Sequence, residues 1–399
     1  MKKVVLLLAC ALFAIGTASA QKNKKDKEKT PAGYEFTIVK ENPYTSPKDQ
    51  SRSGTCWSFS ALGFIESELL KAGKGEYDLA EMWIVRHAYL EKARQYVRFH
   101  GAITFAAGGG FHDIPAMIEK YGIVPEEAYP GLNYGTTNHD HSELDKVLEG
   151  YMKALVSGKT ISPVWEEAFN AILDSYFGPV PDKFTYKGKE YTPKSFAASL
   201  GLNMSDFIEI GSFTHHPFYE QFILEVPDNW MLSTIYNVPL NEMMQIIDGA
   251  INNGYTIGWG ADVSEKGFSW KNGVAIVPDE EKQDLSGTER DRWEKLTASE
   301  KAAAMYSFDG TATEKQITQE MRQKAFDNYQ TTDDHGMQIV GIAKDAKGNK
   351  FYKVKNSWGT EGKYEGFFYA SEAFVRYKTI DFMLNKHALS DSFKKKLGL

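Results

Sequence analysis

The chain has 399 residues, 42% hydrophobic and 13% aromatic, enough for a large core in one domain or two lobes. Charged residues make up 25% with both signs mixed, and the formal net charge of −7 excludes the basic balance of a general nucleic-acid binder. No internal run of about 18 apolar residues occurs, so no membrane span is predicted.

The N-terminus reads as a secretory signal over residues 1–20. Lys2 and Lys3 precede an apolar segment at 4–16, and Ala18-Ser19-Ala20 offers a small-residue cleavage site. Leu7-Leu8-Ala9-Cys10 has some character of a lipoprotein site, which would leave a lipid anchor on Cys10. The apolar run ahead of Cys10 is short, so cleavage after Ala20 is expected, with a periplasmic or extracellular product. Cleavage removes two bases and no acids and takes the formal charge to −9. Residues 21–35 include K-N-K-K-D-K-E-K and read as a solvated linker. Cys56 is then the only thiol, so no intramolecular disulfide is available, and it is either an inert buried cysteine or a reactive one.

From Cys56 onward, Trp57, Ala61, Phe64, Ile65 and Leu69 recur at helical steps, and Gly73 and Gly75 end the run. Cys56 therefore falls in the first turn, where unpaired N–H groups favour a thiolate. A second helix is predicted over 79–99, a glycine-rich turn over 106–110 and a short helix over 114–121. Helical patterns resume over 142–177. A hairpin follows at 184–191 and a helix begins near Thr192-Pro193. Residues 239–252 read as a helix and 255–263 as a buried strand. Thr297 and Glu300 have the spacing of a capping box for a helix ending at Met305. Strands are predicted at 336–343, 351–355 and 366–370. The reading is α+β. It has a helical lobe at about 50–135, an insertion at about 136–230, a β-rich lobe at about 231–263 and 331–380, and a C-terminal arm at 381–399.

Four pieces carry chemistry. Gln50 stands six residues before Cys56, Asp334-His335-Gly336 opens an apolar strand, and Asn356 lies 21 residues past His335. A thiol needs a base, which His335 supplies; the imidazole needs an orienting partner, which the Asn356 amide supplies. Gln50 and the backbone N–H of Cys56 are the natural donors to a developing oxyanion.

Gln50 with Ser53-Gly54-Thr55-Cys56-Trp57, then Asp334-His335, then Asn356-Ser357-Trp358-Gly359, together resemble the three blocks of papain-like cysteine peptidases. The resemblance implies a two-lobed fold with a helical lobe and a β-barrel-like lobe. By it Cys56 is the nucleophile, His335 the general base and acid, Asn356 the orienting residue and Gln50 the oxyanion donor. Trp57 and Trp358 become supporting residues, Trp358 shielding the His–Asn bond. Gly109, Gly110, Phe111 and Asp334 become substrate-binding residues. No cofactor or metal is expected. His139-Asp140-His141 and His215-His216 lack H-E-x-x-H spacing and are read as solvated loop histidines. Asp248, Asp262 and Asp333 are acids that could tune the cleft.

His335 lies 279 residues past Cys56, about twice the usual papain separation. With Phe177-Gly178-Pro179-Val180-Pro181 and Trp259-Gly260-Ala261-Asp262-Val263, this resembles the bleomycin hydrolase or aminopeptidase C branch, with large helical insertions. In that branch a C-terminal arm enters the cleft and its carboxylate holds the substrate's amino end; here the arm is about a dozen residues shorter. The resemblance implies peptide substrates and a homo-oligomer, a hexamer in many members. The expected activity is an aminopeptidase. An open-cleft endopeptidase and an inactive peptide-binding relative are the alternatives.

Overall fold

The cysteine-bearing helix α1 (Cys56–Lys71) is buried at every position from Trp57 to Leu69, as a helix wedged between two lobes must be. The computed structural model describes residues 33–279 and 292–399. The signal segment expected at 1–20 and most of the linker expected at 21–35 lie outside the described residues. The linker is not solvated up to its expected end at 35, because Tyr34 is buried against Phe36 and Phe351.

Strand β1 (Phe36–Glu41) precedes α1. Four helices then build one lobe: α2 (Glu81–Arg98), α3 (Asp113–Tyr121), α4 (Ser142–Val156) and α5 (Trp165–Phe177). The hairpin of β2 (Phe184–Tyr186) and β3 (Lys189–Tyr191) turns through Lys187 and Gly188, both at positive φ. Helix α6 (Pro193–Leu200) starts on a Thr192 capping box with Pro193 in its first turn. Short strands follow: β4 (Phe207–Gly211), β5 (Gln221–Ile223) and β6 (Thr234–Asn237). Then come α7 (Leu240–Asn252), β7 (Ile257–Ala261), β8 (Phe268–Ser269) and β9 (Val274–Ala275). Helix α8 (Ala298–Met305) carries the expected Thr297–Glu300 capping box, and α9 (Gln319–Asp327) follows it. The last elements are β10 (His335–Asp345), β11 (Lys350–Lys355), β12 (Phe367–Ser371), α10 (Glu372–Lys378), β13 (Thr379–Asn385) and α11 (Asp391–Leu397).

The strands other than β2 and β3 form one sheet in the order β5-β6-β4-β13-β7-β10-β11-β12-β9-β8, with β1 pairing the far end of β10. The arrangement is α+β, with a helical core cluster around Trp83, Phe64 and Phe169 and a sheet-lobe cluster around Trp259, Tyr352 and Phe382. The sheet path runs open from β5 to β8 among the described residues, so the barrel-like character is one of curvature without a closing ladder.

Strand β10 joins the lobes. Its Met337 and Ile339 enter the sheet-lobe cluster with α7. Gln338, on the other face, donates to Gly63 O (3.1 Å) and Ser67 Oγ (2.8 Å) of α1. Alternation across a strand thus places α1 and α7 on opposite faces of the sheet.

Two boundaries drawn from the sequence differ here. The insertion at 136–230 is not only helical: it contains β2, β3, β4 and β5, and β4 pairs with β13. The arm expected from 381 begins inside β13, which lies between β4 and β7 in the sheet. Both strands are short and buried and show no clean alternation, so their long-range pairing left no local signature.

Candidate active site

Gly336 brings the two halves of the site together. A Cβ there would lie 2.7 Å from Ser60 Oγ and 3.2 Å from Trp57 Cα, so only glycine lets β10 press this closely on the first turn of α1. His335 is thereby placed beside Cys56, and both line one cleft of about 540 Å³ between the lobes. His335 Nε2 donates to Asn356 Oδ1 at 2.7 Å. The same oxygen accepts the Ser357 N–H at 2.8 Å, which fixes it as the amide's acceptor. With Nε2 carrying the proton, Nδ1 is the free base. Trp358 stacks on the imidazole at 4.9 Å between centroids and 29° between planes, covering this bond.

Gln50 is held from three sides. Its N–H donates to Ser357 O (2.8 Å), its Oε1 accepts from Ser357 Oγ (2.6 Å), and its Nε2 donates to Ser53 O (2.7 Å). An amide nitrogen has two hydrogens, and among the described residues the second is uncommitted where Gln50 lines the cleft. Ser53 closes the same loop. Its hydroxyl donates to Gln50 O (2.7 Å) and shares a hydrogen bond with Thr55 Oγ1 (2.5 Å), so hydroxyls knit this loop.

Burial pushes the Cys56 thiol up to about 12. N–H groups of Gly336 and Trp57 work against that shift, while Asp333 and Asp228 add to it. Burial lowers the pKa of His335, opposed by the Asn356 bond and Asp334. Burial thus disfavours either charge on its own. One proton transfer creates both charges at once, and each then stabilises the other.

The glycine-rich turn forms the facing wall. Trp57 Nε1 donates to Ala107 O at 3.1 Å, tying that turn to α1. Gly109 and Gly110 line the cleft, and Phe111 is buried against Gly258 and Gly260 of β7. Asp334 also lines it, but its Oδ2 accepts from Val263 N (3.1 Å) and Ser264 Oγ (3.0 Å). Of the three tuning acids, Asp333 lines the cleft. Asp248 instead meets Lys350 and Tyr352, and Asp262 bonds the backbone N–H groups of Ser264 and Thr332. His215 and His216 both bond Glu225, at 3.1 and 2.7 Å, away from the cleft lining. His139 and His141 are not solvated as expected: they sit in a loop whose backbone pairs with Arg52, are buried against Phe59 and Phe177, and burial lowers both pKa values.

The cleft also holds residues that sequence reasoning missed. His112 Nδ1 lies 3.1 Å from Glu209 of β4. Burial works against its charge, but Glu209, Asp113 and Asp381 outweigh that and raise its pKa to about 9. Asp381 of β13 lies on the floor, and a Cβ on Gly260 would stand 2.4 Å from its Oδ1. Asp228 comes from the segment after β5. His112 stands two residues past the glycine-rich turn with nothing in its local sequence to mark it, and the acids belong to no local motif.

The model of the Peptidase C1-like family matches residues 2–157 and 297–398. The chain belongs to the Peptidase C1-like family. This C1-like peptidase is 24% identical to aminopeptidase C of Lactobacillus helveticus over 394 residues, covering 88% of this chain and 81% of the relative. Aminopeptidase C of Streptococcus thermophilus is 22% identical over 388 residues, covering 86% and 80%. In fold it is similar to the crystal structure of PepW from Lactobacillus rhamnosis, with a TM-score of 0.69 at 18% identity over 91% of this chain and 84% of that one. The C1-like chain is thus a cysteine-type peptidase, as the three sequence blocks implied. Residues 158–296, which include Asp228 and Glu209, fall outside the family match.

Proposed function

We propose that this C1-like peptidase is an exported cysteine aminopeptidase acting through a Cys56 acyl-enzyme. The observation that carries the chemistry is the 2.7 Å bond from His335 Nε2 to Asn356 Oδ1 behind a cleft that also holds Cys56. The thiol passes its proton to His335 Nδ1, and the thiolate attacks the scissile carbonyl. Gln50 Nε2 and the Cys56 N–H receive the oxyanion. The imidazolium protonates the leaving amine. His335 then deprotonates a water that attacks the thioester, releasing the acid and restoring the thiol.

Two observations favour cleavage from the amino end. The two relatives described above, matched over most of their length, are aminopeptidases C. The segment at 224–229 also adds a wall that reaches onto the glycine-rich turn beside Gly108. Export is supported by Lys2, Lys3, the apolar run at 4–16 and Ala18-Ser19-Ala20. Assembly into a homo-oligomer belongs to the same proposal and is read by light scattering.

An endopeptidase is the second reading, favoured by the packing of α11. Leu397 enters the sheet-lobe cluster, Lys396 pairs with Glu242 of α7 at 2.6 Å, and no residue after Asp381 lines the cleft. An aminoacyl fluorogenic substrate with a free amine, compared with its N-acetylated counterpart, separates the readings. The aminopeptidase reading expects the free amine to be preferred; preference for the blocked substrate overturns it. Cys56→Ala is expected to abolish both reactions.

A further inference from the structure

An enzyme that selects peptides by their free amino end needs an anion in its cleft to receive the α-ammonium group. Four carboxylates line the cleft: Asp228, Asp333, Asp334 and Asp381. Asp334 is committed to Val263 N and Ser264 Oγ. Asp381 is only 7% exposed, lies under Gly260 on the floor, and shares its surroundings with Glu209. Asp333 stands two residues before His335, and burial, Asp228 and Asp334 raise its pKa to about 7; burial raises that of Asp228 as well, so it is the placement of Asp228 that separates the two.

Asp228 has neither a hydrogen bond nor an ion pair among the described residues, and its carboxylate rests on the glycine-rich turn. A Cβ at Gly108 would lie 1.9 Å from its Oδ2, so Gly108 is bare where the carboxylate sits. Lys92, the nearest cation acting on it, is committed to the carbonyls of Ala106 and Gly108. The segment is fixed on the far side of Asp228. Asn229 Nδ2 donates to Leu224 O and Ser233 O, both at 2.9 Å, and Trp230 Nε1 donates to Asp113 Oδ2 at 2.7 Å. A desolvated, positioned and unpaired carboxylate beside an open catalytic cleft is a receptor for a cation.

We propose that Asp228 is the specificity-determining residue that receives the free α-ammonium group of a peptide substrate whose scissile carbonyl lies at Cys56. This rests on the aminopeptidase reading.

The test measures kcat/KM for the free-amine substrate and its N-acetylated counterpart in the wild-type, D228N and D228E proteins, together with the rate of Cys56 alkylation by iodoacetamide. In D228N the free-to-blocked ratio is expected to fall about 10- to 100-fold, the loss of one charge-assisted hydrogen bond. Alkylation is expected to proceed as fast as in the wild type or faster, which also reports an intact site. D228E, which keeps the charge, is expected to recover part of the ratio. A ratio in D228N equal to that of the wild type overturns the assignment and leaves the aminopeptidase reading standing. A wild-type enzyme with no preference for the free amine overturns both.

Discussion

In the proposed mechanism Cys56, His335, Asn356 and Gln50 act as one unit because each leaves the next a single role. Asn356 Oδ1 takes the Nε2 proton of His335, so Nδ1 is the base, and Ser53 O takes one Gln50 hydrogen, so the other faces the cleft. Gln50→Ala is expected to lower kcat by about 10²- to 10³-fold with little change in KM, because an oxyanion donor works mainly in the transition state. An equal rise in KM at unchanged kcat would place Gln50 in ground-state binding instead. That these four positions would meet was legible in the sequence because the chemistry of a thiol nucleophile dictates residue types, and the structure brings Gln50, Cys56 and His335 to one cleft with Asn356 bonded to His335. Asp228, His112, Glu209 and Asp381 were not. Their meeting depends on how β4, β13 and the segment after β5 pack, and no spacing along the chain encodes that.

At the scale of elements, α1 is both the carrier of the nucleophile and the wedge between the lobes. Gly63 is where it comes nearest Lys355, since a Cβ there would lie 2.8 Å from Lys355 Nζ. Gly63→Val is expected to destabilise the chain by about 1–3 kcal/mol through overpacking, read as a shift in the denaturant midpoint. At the other end of α1, Glu68 Oε2 accepts from Asn385 Nδ2 of β13 at 2.7 Å. Burial raises its pKa to about 7, against the Asn385 bond and Lys71. A carboxyl whose folded pKa is raised keeps its proton better in the folded state, so its contribution to stability is lost as pH rises through roughly 4.5 to 7. Glu68→Gln is therefore expected to gain stability relative to the wild type between pH 5 and pH 8, by up to about 3 kcal/mol. Thermal midpoints at the two pH values check it, and a pH-independent difference would show that Glu68 does not titrate in that window. The helix α1 was readable because its apolar steps begin at a thiol and stop at two glycines. The strand β13 was not, because its burial from Thr379 to Leu384 erases the alternation that marks a half-exposed strand.

For the whole molecule, the sheet divides its two faces between different tasks. The face toward α1 carries the site, and the face toward α7 also receives α11 through Leu397 and the Lys396–Glu242 pair. Lys396→Glu puts like charges at that pair and loosens α11, but it is expected to leave the free-to-blocked substrate ratio within about twofold, since surface ion pairs contribute little and the cleft lies elsewhere. A tenfold change in that ratio, about 1.4 kcal/mol, would mean that α11 reaches the substrate. The central claim is that Cys56 is made nucleophilic by His335. Its most direct test is mass spectrometry of the chain after brief exposure to an epoxysuccinyl peptide at neutral pH. A single adduct on Cys56 is predicted, forming at least about 10²-fold more slowly in His335→Ala, the range of a general-base contribution. Equal labelling rates in the two proteins, or an adduct elsewhere, would contradict it.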